Sequence, residues 1–419
     1  MKIHCRPSPA APLFGKGRQK GYNERQKARP APERDVVWGA GRVDTLANIF
    51  DYLEWRGDLR FDQAPFTCVD DLILCRLSYV PFDGVVPPLG EGGAIPLRRA
   101  AERLLSPAFA RQTEAMWARD RDLLRALAAS ARFGEMPLLG YVNDVDADEQ
   151  KQFSALCALP GDGTGFAAFR GTDNTLVGWK EDFNMGFATP VPAQREAVSY
   201  LCQAVERGPA SWRVGGHSKG GNLAVYAAAF APAPVQERLL WVQNNDGPGF
   251  DGGVLEGPGY RAVRERVHTY LPQSSVVGML LEHEEAYTVV HSGQVGLMQH
   301  DLYSWEVKGP GFVCLDEVSA SSKFIDKTLK DWVAGMSREE RATFFDTLYQ
   351  LLAGTQAKTV GELSGDWLHS AGAVLQSLKN VDEDTRRLMG QVMGGLFRSA
   401  RENLRTARPR GEGPERRLE

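Results

Sequence analysis

One short segment constrains the fold more than any other part of the chain. Residues 216–220 read GHSKG and place Ser218 in the pattern G-x-S-x-G. The apolar residues 211–214 before it predict a short strand, and the Ala-rich residues 222–230 after it predict a helix. A strand, a sharp turn and a helix in this order predict a nucleophile elbow, which holds a serine on a strained turn. Both flanking glycines are expected there because a side chain on either side would collide with neighbouring backbone.

Strands alternate with helical segments through the middle third of the chain. The turn-forming residues 160–163 separate two apolar runs and predict a hairpin. Helical patterns then alternate with further apolar runs. Such alternation favours an α/β fold with a mainly parallel central sheet and helices on both faces. The runs predicted as strands are 153–159, 166–169, 211–214, 239–242, 267–271 and 287–290, and 303–307 is a candidate for a last strand.

Composition and apolar periodicity predict four regions along the chain. Helices are expected near 44–53 and 69–78, and two more within an insertion at 97–133 that forms a lid or a packing layer. Sequence beyond residue 316 has a helical pattern. The predicted regions are a disordered basic leader at 1–40, an α/β domain at 41–315, a C-terminal helical extension at 316–400 and a disordered tail at 401–419.

Charge is distributed unevenly. Residues 1–34 carry nine Lys and Arg against two Glu, a net charge of +7. Because the net charge of the whole chain is −4, the remaining residues carry −11. Such an arm is compatible with an anionic partner, but we expect a solvated tail and no nucleic-acid binding. The chain has no run of 18 apolar residues and no apolar signal region, so we expect no transmembrane segment and a cytoplasmic location.

The six cysteines lack the close pairs of a zinc site, and most lie in apolar segments. We therefore expect buried free thiols, no metal and no organic cofactor.

A reactive serine needs a base, and the chain has only seven histidines. His217 is expected to point away from Ser218 on the tight elbow. His300 lies in the loop after the predicted strand 287–290, where a fold with the chain order serine, acid, histidine places its base. We therefore prefer His300 and keep His291 and His283 as alternatives.

The acid is less well defined by the sequence. Asp246 follows the predicted strand 239–242 in a turn-rich segment, at the edge of the sheet where sites of such folds lie. A structural turn cap is the competing interpretation of this residue. Asp301 and Glu282 remain alternatives.

Two backbone amides are predicted to form an oxyanion hole. The first is the N–H of Lys219, the residue after the serine. The second is the N–H of Thr172, in the loop that follows the predicted strand 166–169. The side chain of Lys219 either contacts an anionic substrate or points into solvent, and we expect it to point into solvent. Arg170 and Asp182 are expected to pair and brace the oxyanion loop.

These motifs carry a resemblance. The sequence FRGT at 169–172, followed by Trp179, Asp182 and the GHSKGG elbow, resembles class-three, fungal-type lipases. A closer resemblance is to the bacterial Mbeg-like family related to those lipases. It covers about residues 46–310 and includes the motifs at 51–58, 77–79, 245–250 and 299–301.

The resemblance implies an α/β-hydrolase fold and an esterase-like site, but it supplies no substrate. The chain departs from the lipases at Ser274 and Ser275, one of which stands where their acid falls. We therefore predict a serine hydrolase that cleaves a small or lipid-like carboxylic ester through an acyl-enzyme on Ser218. The alternative is a non-catalytic protein of the same fold that binds a partner or an acyl ligand.

Overall fold

The computed structural model describes residues 46–172 and 190–319, except 147, 150, 251, 276, 280, 282 and 295, together with residue 383. The predicted leader, nearly all of the C-terminal extension and the tail lie outside the described residues. Within the described part, no helix is both long and apolar enough to cross a membrane.

Ten α-helices occur in the described residues. The predicted helix at 44–53 begins later, because Asn48 forms a capping box with Asp51. Thr67 and Asp70 form a second capping box, and the helix that follows agrees with the prediction for 69–78. The helices are α1 (Ile49–Arg56), α2 (Cys68–Leu77), α3 (Leu97–Leu104), α4 (Ala110–Ala115), α5 (Ala118–Ala129), α6 (Pro192–Arg207), α7 (Lys219–Phe230), α8 (Ala233–Gln236), α9 (Gly252–Leu255) and α10 (Pro258–Val263).

Nine of the eleven strands in the described residues form one mixed sheet, in the order β1-β2-β3-β4-β5-β6-β7-β8-β11. The other two strands, β9 and β10, form a short hairpin. The strands are β1 (Ile95–Pro96), β2 (Pro137–Asp146), β3 (Lys151–Ala158), β4 (Thr164–Phe169), β5 (Ser211–His217), β6 (Leu239–Asn245), β7 (Val267–Pro272), β8 (Tyr287–Val290), β9 (Val307–Lys308), β10 (Gly311–Phe312) and β11 (Cys314–Leu315).

The sheet is parallel only at its centre. Strands β4 to β8 pair in parallel, whereas β1 to β4 pair antiparallel with one another and β11 pairs antiparallel with β8. The sequence predicted a mainly parallel sheet, but it also predicted the hairpin that joins β3 to β4. Gly161 and Gly163 of that hairpin have φ values of +89° and +83°, which favour glycine. A short hairpin makes the strands it joins antiparallel.

Both faces of the sheet are covered. Successive residues of β4 enter different cores: Phe166 and Ala168 pack in one cluster with α2, α3 and α5, and Ala167 and Phe169 pack in another with α6 and α7. Side chains alternate between the two faces of a strand, so the two clusters lie on opposite faces.

The inserted helix α5 belongs to the packing layer. Its residues Leu123, Leu124 and Leu127 are buried in the core. Asp120 at its start accepts two hydrogen bonds of 2.6 and 2.7 Å from Arg76 of α2, and both side chains are almost fully buried. Breaking a buried ion pair of this kind is strongly destabilising, so α5 is fastened to α2 rather than free to open.

The carboxyl ends of β5 and β6 lie side by side. His217 pairs with Asn245 in the parallel register, and the N–H of Ser218 donates to the carbonyl of Asn245 at 3.0 Å. Ser218 and Asp246 therefore leave neighbouring strands at the same edge of the sheet.

Candidate active site

Ser218 lies on a strained turn between β5 and α7. Its φ is +60° and its ψ is −134°, a backbone conformation that residues other than glycine rarely adopt. A Cβ at Gly216 would lie 2.0 Å from the carbonyl oxygen of Gly220, and a Cβ at Gly220 would lie 2.1 Å from that of Phe169. Glycine is therefore required at both positions, as the sequence predicted.

The loop that ends β4 packs directly against this turn. A Cβ at Gly171 would lie 2.5 Å from the carbonyl oxygen of His217 and 3.0 Å from Cβ of Ser218. Thr172 is the next residue, and its side chain is half-buried. Lys219 is the first residue of α7, so its N–H is among those that lack an acceptor within the helix. Of the two predicted oxyanion residues, Lys219 therefore begins the helix directly after Ser218, and Thr172 follows the glycine that packs against the elbow.

Asp246 and His300 form a short hydrogen bond. Nδ1 of His300 lies 2.6 Å from Oδ2 of Asp246, whose side chain is 1% exposed, while that of His300 is 27% exposed. Since a carboxylate only accepts, Nδ1 carries the proton and Nε2 is left as the basic nitrogen. This is the tautomer that a general base toward a serine requires.

The other carboxylate oxygen of Asp246 is held by two donors. Oδ1 accepts from the hydroxyl of Ser275 at 2.5 Å and from the N–H of Gly278 at 3.2 Å. Ser275 follows β7, at the position where the sequence resemblance to fungal-type lipases implied an acid. The carboxylate that contacts His300 follows β6 instead, and the hydroxyl of Ser275 donates to it.

Among the described residues, no hydrogen bond joins Ser218 Oγ to Nε2 of His300. Hydrogen bonds of this kind tighten in the reacting complex.

His217 lies against His300, whereas the sequence predicted that it would point away from the site. Their ring centroids are 4.4 Å apart, and Nε2 of His217 lies 2.9 Å from the carbonyl oxygen of His300. Nε2 therefore carries the proton, and Nδ1 accepts a 3.0 Å hydrogen bond from the hydroxyl of Tyr79. Burial, followed by the charges of His300 and Arg76, holds the pKa of His217 well below its ordinary value. His217 is thus a neutral link between the elbow and the His300 backbone.

The alternative bases make other pairs. His291 contacts Glu306 at 2.5 Å, and His283 contacts Glu285 at 3.0 Å. Asp301, the alternative acid beside His300, caps the N–H of Tyr303 instead.

Glu282, the other alternative acid, lies outside the described residues, as does Asp182, the predicted partner of Arg170.

The side chain of Lys219 does not reach solvent, in contrast to the prediction. The residue is 1% exposed, and its Nζ donates to the carbonyl oxygen of Gln152 on β3 at 2.9 Å. Because α7 packs on the sheet, the long side chain at its first turn is directed onto β3.

Three supporting residues were not assigned a site role from the sequence. Tyr79 holds His217, Ser275 holds Asp246, and Gln299 anchors the loop that carries His300. Its Oε1 accepts from the N–H of Ser274 at 2.7 Å, and its Nε2 donates to the carbonyl of Gln294 at 2.7 Å. A sequence signal existed for Tyr79 and Gln299, since both fall within the motifs of the family resemblance.

Fold and site together define a class: a mixed α/β protein with a serine elbow after β5 and a histidine–carboxylate pair beside it. A family model described as Mbeg1-like matches residues 127–350, more than half of the chain, and the chain belongs to that family. The resemblance seen in the sequence is confirmed.

Other comparisons add little. No curated protein matches the chain. Among solved structures it is similar to one described as "Crystal structure of M37 lipase", with 13% identity over 52% of this chain and 70% of that chain. The TM-score is 0.32, and a likeness at that level carries no argument about function.

Proposed function

We propose that this protein is a serine hydrolase of the esterase or lipase type, built on an α/β-hydrolase fold and acting on a carboxylic ester. The observation that carries the proposal is the 2.6 Å contact between His300 and the buried Asp246, beside a serine held at a φ of +60°. The three residues follow β5, β6 and β8 in the chain order serine, acid, histidine that this fold uses.

In the proposed reaction, Ser218 Oγ attacks the ester carbonyl carbon while Nε2 of His300 takes its proton. Asp246 stabilises the imidazolium that forms. The carbonyl oxygen becomes an oxyanion, which the N–H groups of Thr172 and Lys219 stabilise. Collapse expels the alcohol with the proton from His300 and leaves an acyl group on Ser218. Water, activated by His300, then releases the acid and restores the serine.

Reaction with a fluorophosphonate tests the proposal without a known substrate. Attack by an activated Ser218 displaces fluoride and leaves one phosphonyl group, which intact mass detects. We expect one adduct on the native chain and on His291→Ala, and none on Ser218→Ala or His300→Ala. His291 is a suitable control because it pairs with Glu306 away from Asp246.

If the native protein is folded and takes no adduct, the enzyme proposal is wrong. The non-catalytic alternative, in which the same fold binds a partner or an acyl ligand, would then be preferred.

A further inference from the structure

A second histidine–carboxylate pair lies behind Asp246. His283 and Glu285 are joined by a 3.0 Å contact between Nδ1 and Oε1, and their side chains are only 7% and 3% exposed. The mechanism proposed above uses neither residue.

The hydrogen bonds of His283 define its protonation state. Nδ1 faces a carboxylate oxygen, and Nε2 lies 2.7 Å from the carbonyl oxygen of Gly278. Both partners are acceptors, so both ring nitrogens must donate, and His283 is an imidazolium. Its charge is balanced by Glu285, as a buried charge requires.

Glu285 is anchored to regular elements of the fold. Oε1 accepts from the hydroxyl of Thr269 on β7 at 2.6 Å, and Oε2 accepts from the hydroxyl of Tyr260 on α10 at 2.5 Å. Burial raises the pKa of Glu285, but the hydrogen bond and charge of His283, with these two hydroxyls, lower it to about 2. The carboxylate is therefore ionised and fixed in place.

Gly278 connects this pair to the proposed catalytic acid. Its carbonyl accepts from His283, while its N–H donates to Oδ1 of Asp246 at 3.2 Å. Space around it is tight, because a Cβ here would lie 2.4 Å from Oδ1 of Asp246 and 2.3 Å from Leu271. A displacement of Gly278 would therefore be transmitted directly to the carboxylate.

We propose that His283 and Glu285 are positioning residues, which hold Gly278 so that Asp246 stays aligned with Nδ1 of His300. The inference rests on the proposed function, since it assigns the pair a role through Asp246. An ion pair anchored on α10 and β7 would thus reach Asp246 through the two hydrogen bonds of Gly278.

The experiment compares His283→Gln and Glu285→Gln with the matched control His291→Gln. The control removes a histidine from another histidine–glutamate contact, which has no described hydrogen bond to Asp246. The first readout is the far-downfield proton resonance of the Asp246–His300 hydrogen bond, identified by its loss in His300→Ala. The second readout is the rate of fluorophosphonate labelling.

We expect both variants to lose or shift the downfield resonance and to label about tenfold more slowly. The magnitude is taken by analogy with metal sites, where loss of a residue that orients a ligand from behind costs about 10- to 100-fold. The control should keep both properties. If either variant is folded and keeps the native resonance and labelling rate, the positioning role is refuted.

A third measurement needs no variant. Nitrogen-15 spectra of the native protein should show both ring nitrogens of His283 protonated at neutral pH, and a neutral ring there would overturn the proposal even if the variants fail to fold. If the native protein takes no adduct, the proposed hydrolase activity fails separately, while the two spectroscopic readouts still decide whether the pair holds Asp246.

Discussion

Replacing Asp246 by asparagine should inactivate the site by fixing the wrong tautomer of His300. Oδ1 of Asp246 accepts from two donors, the hydroxyl of Ser275 and the N–H of Gly278. The asparagine carbonyl must occupy that position, because an amide NH₂ there would face the N–H of Gly278. Its NH₂ group then points at Nδ1 of His300 and donates to it. The proton of His300 moves to Nε2, which can no longer accept from Ser218.

The size of the effect follows from the loss of the base. A tautomer error in a serine triad lowers the rate on the order of 10⁴-fold. At about 1.4 kcal/mol for each factor of ten, this corresponds to about 5.5 kcal/mol of lost transition-state stabilisation. Side-chain volume is nearly unchanged, so the free energy of unfolding should change far less.

The assay is the second-order rate of fluorophosphonate labelling, with the melting temperature as a check on folding. Asp301→Asn is the matched control, because Asp301 is adjacent to His300 but caps Tyr303. We expect its rate to stay within about threefold of native, since its cap does not involve the imidazole. The reasoning is refuted if Asp246→Asn labels within tenfold of the native protein, or if Asp301→Asn loses as much.

Three further predictions concern a buried ion pair of α2, a glycine of the elbow and Lys219. Asp70→Asn should lower the free energy of unfolding by about 3–5 kcal/mol, measured by urea denaturation, because its partner Arg132 is fully buried and would lose its counter-charge. Gly220→Ala should slow labelling about 10²-fold, because its Cβ would lie 2.1 Å from the carbonyl oxygen of Phe169 and displace the loop after β4 by roughly 1 Å. The control Gly252→Ala, where a Cβ meets nothing within 4 Å, should label at the native rate. Lys219→Met should label within tenfold of native but unfold about 1–3 kcal/mol more easily in thermal melts, since it removes a hydrogen bond to a buried carbonyl. A large loss of labelling with unchanged stability would instead place the ammonium in the substrate site.

Local pattern was sufficient to predict the elbow. Ser218 lies between a short apolar run and an Ala-rich helix, and both elements depend mainly on neighbours within a few residues. The capping residues that begin α1 and α2 act over the same short range. The choice of His300 over the other histidines used chain order, which the parallel strands at the centre of the sheet preserve.

Side-chain directions at the site were less predictable. Asp246 contacts His300, whereas Asp301 caps Tyr303, and the packing of the loop after β7 brings Ser275 and Gly278 onto the Asp246 carboxylate. His217 and Lys219 were both assigned the wrong direction. Each makes its decisive contact with a residue more than 60 positions away, and no local periodicity carries that information.

The register between β5 and β6 has a consequence for how this site can change. The backbone hydrogen bonds between two adjacent strands fix the spacing of Ser218 and Asp246. His300 lies on a separate loop, which is held by hydrogen bonds of Gln299 and His217. Insertions between β8 and Gln294 would lengthen this loop without altering the backbone hydrogen bonds that space the serine and the carboxylate. Loop grafting there should therefore retain Gln294 and Gln299, which hold the loop that carries His300.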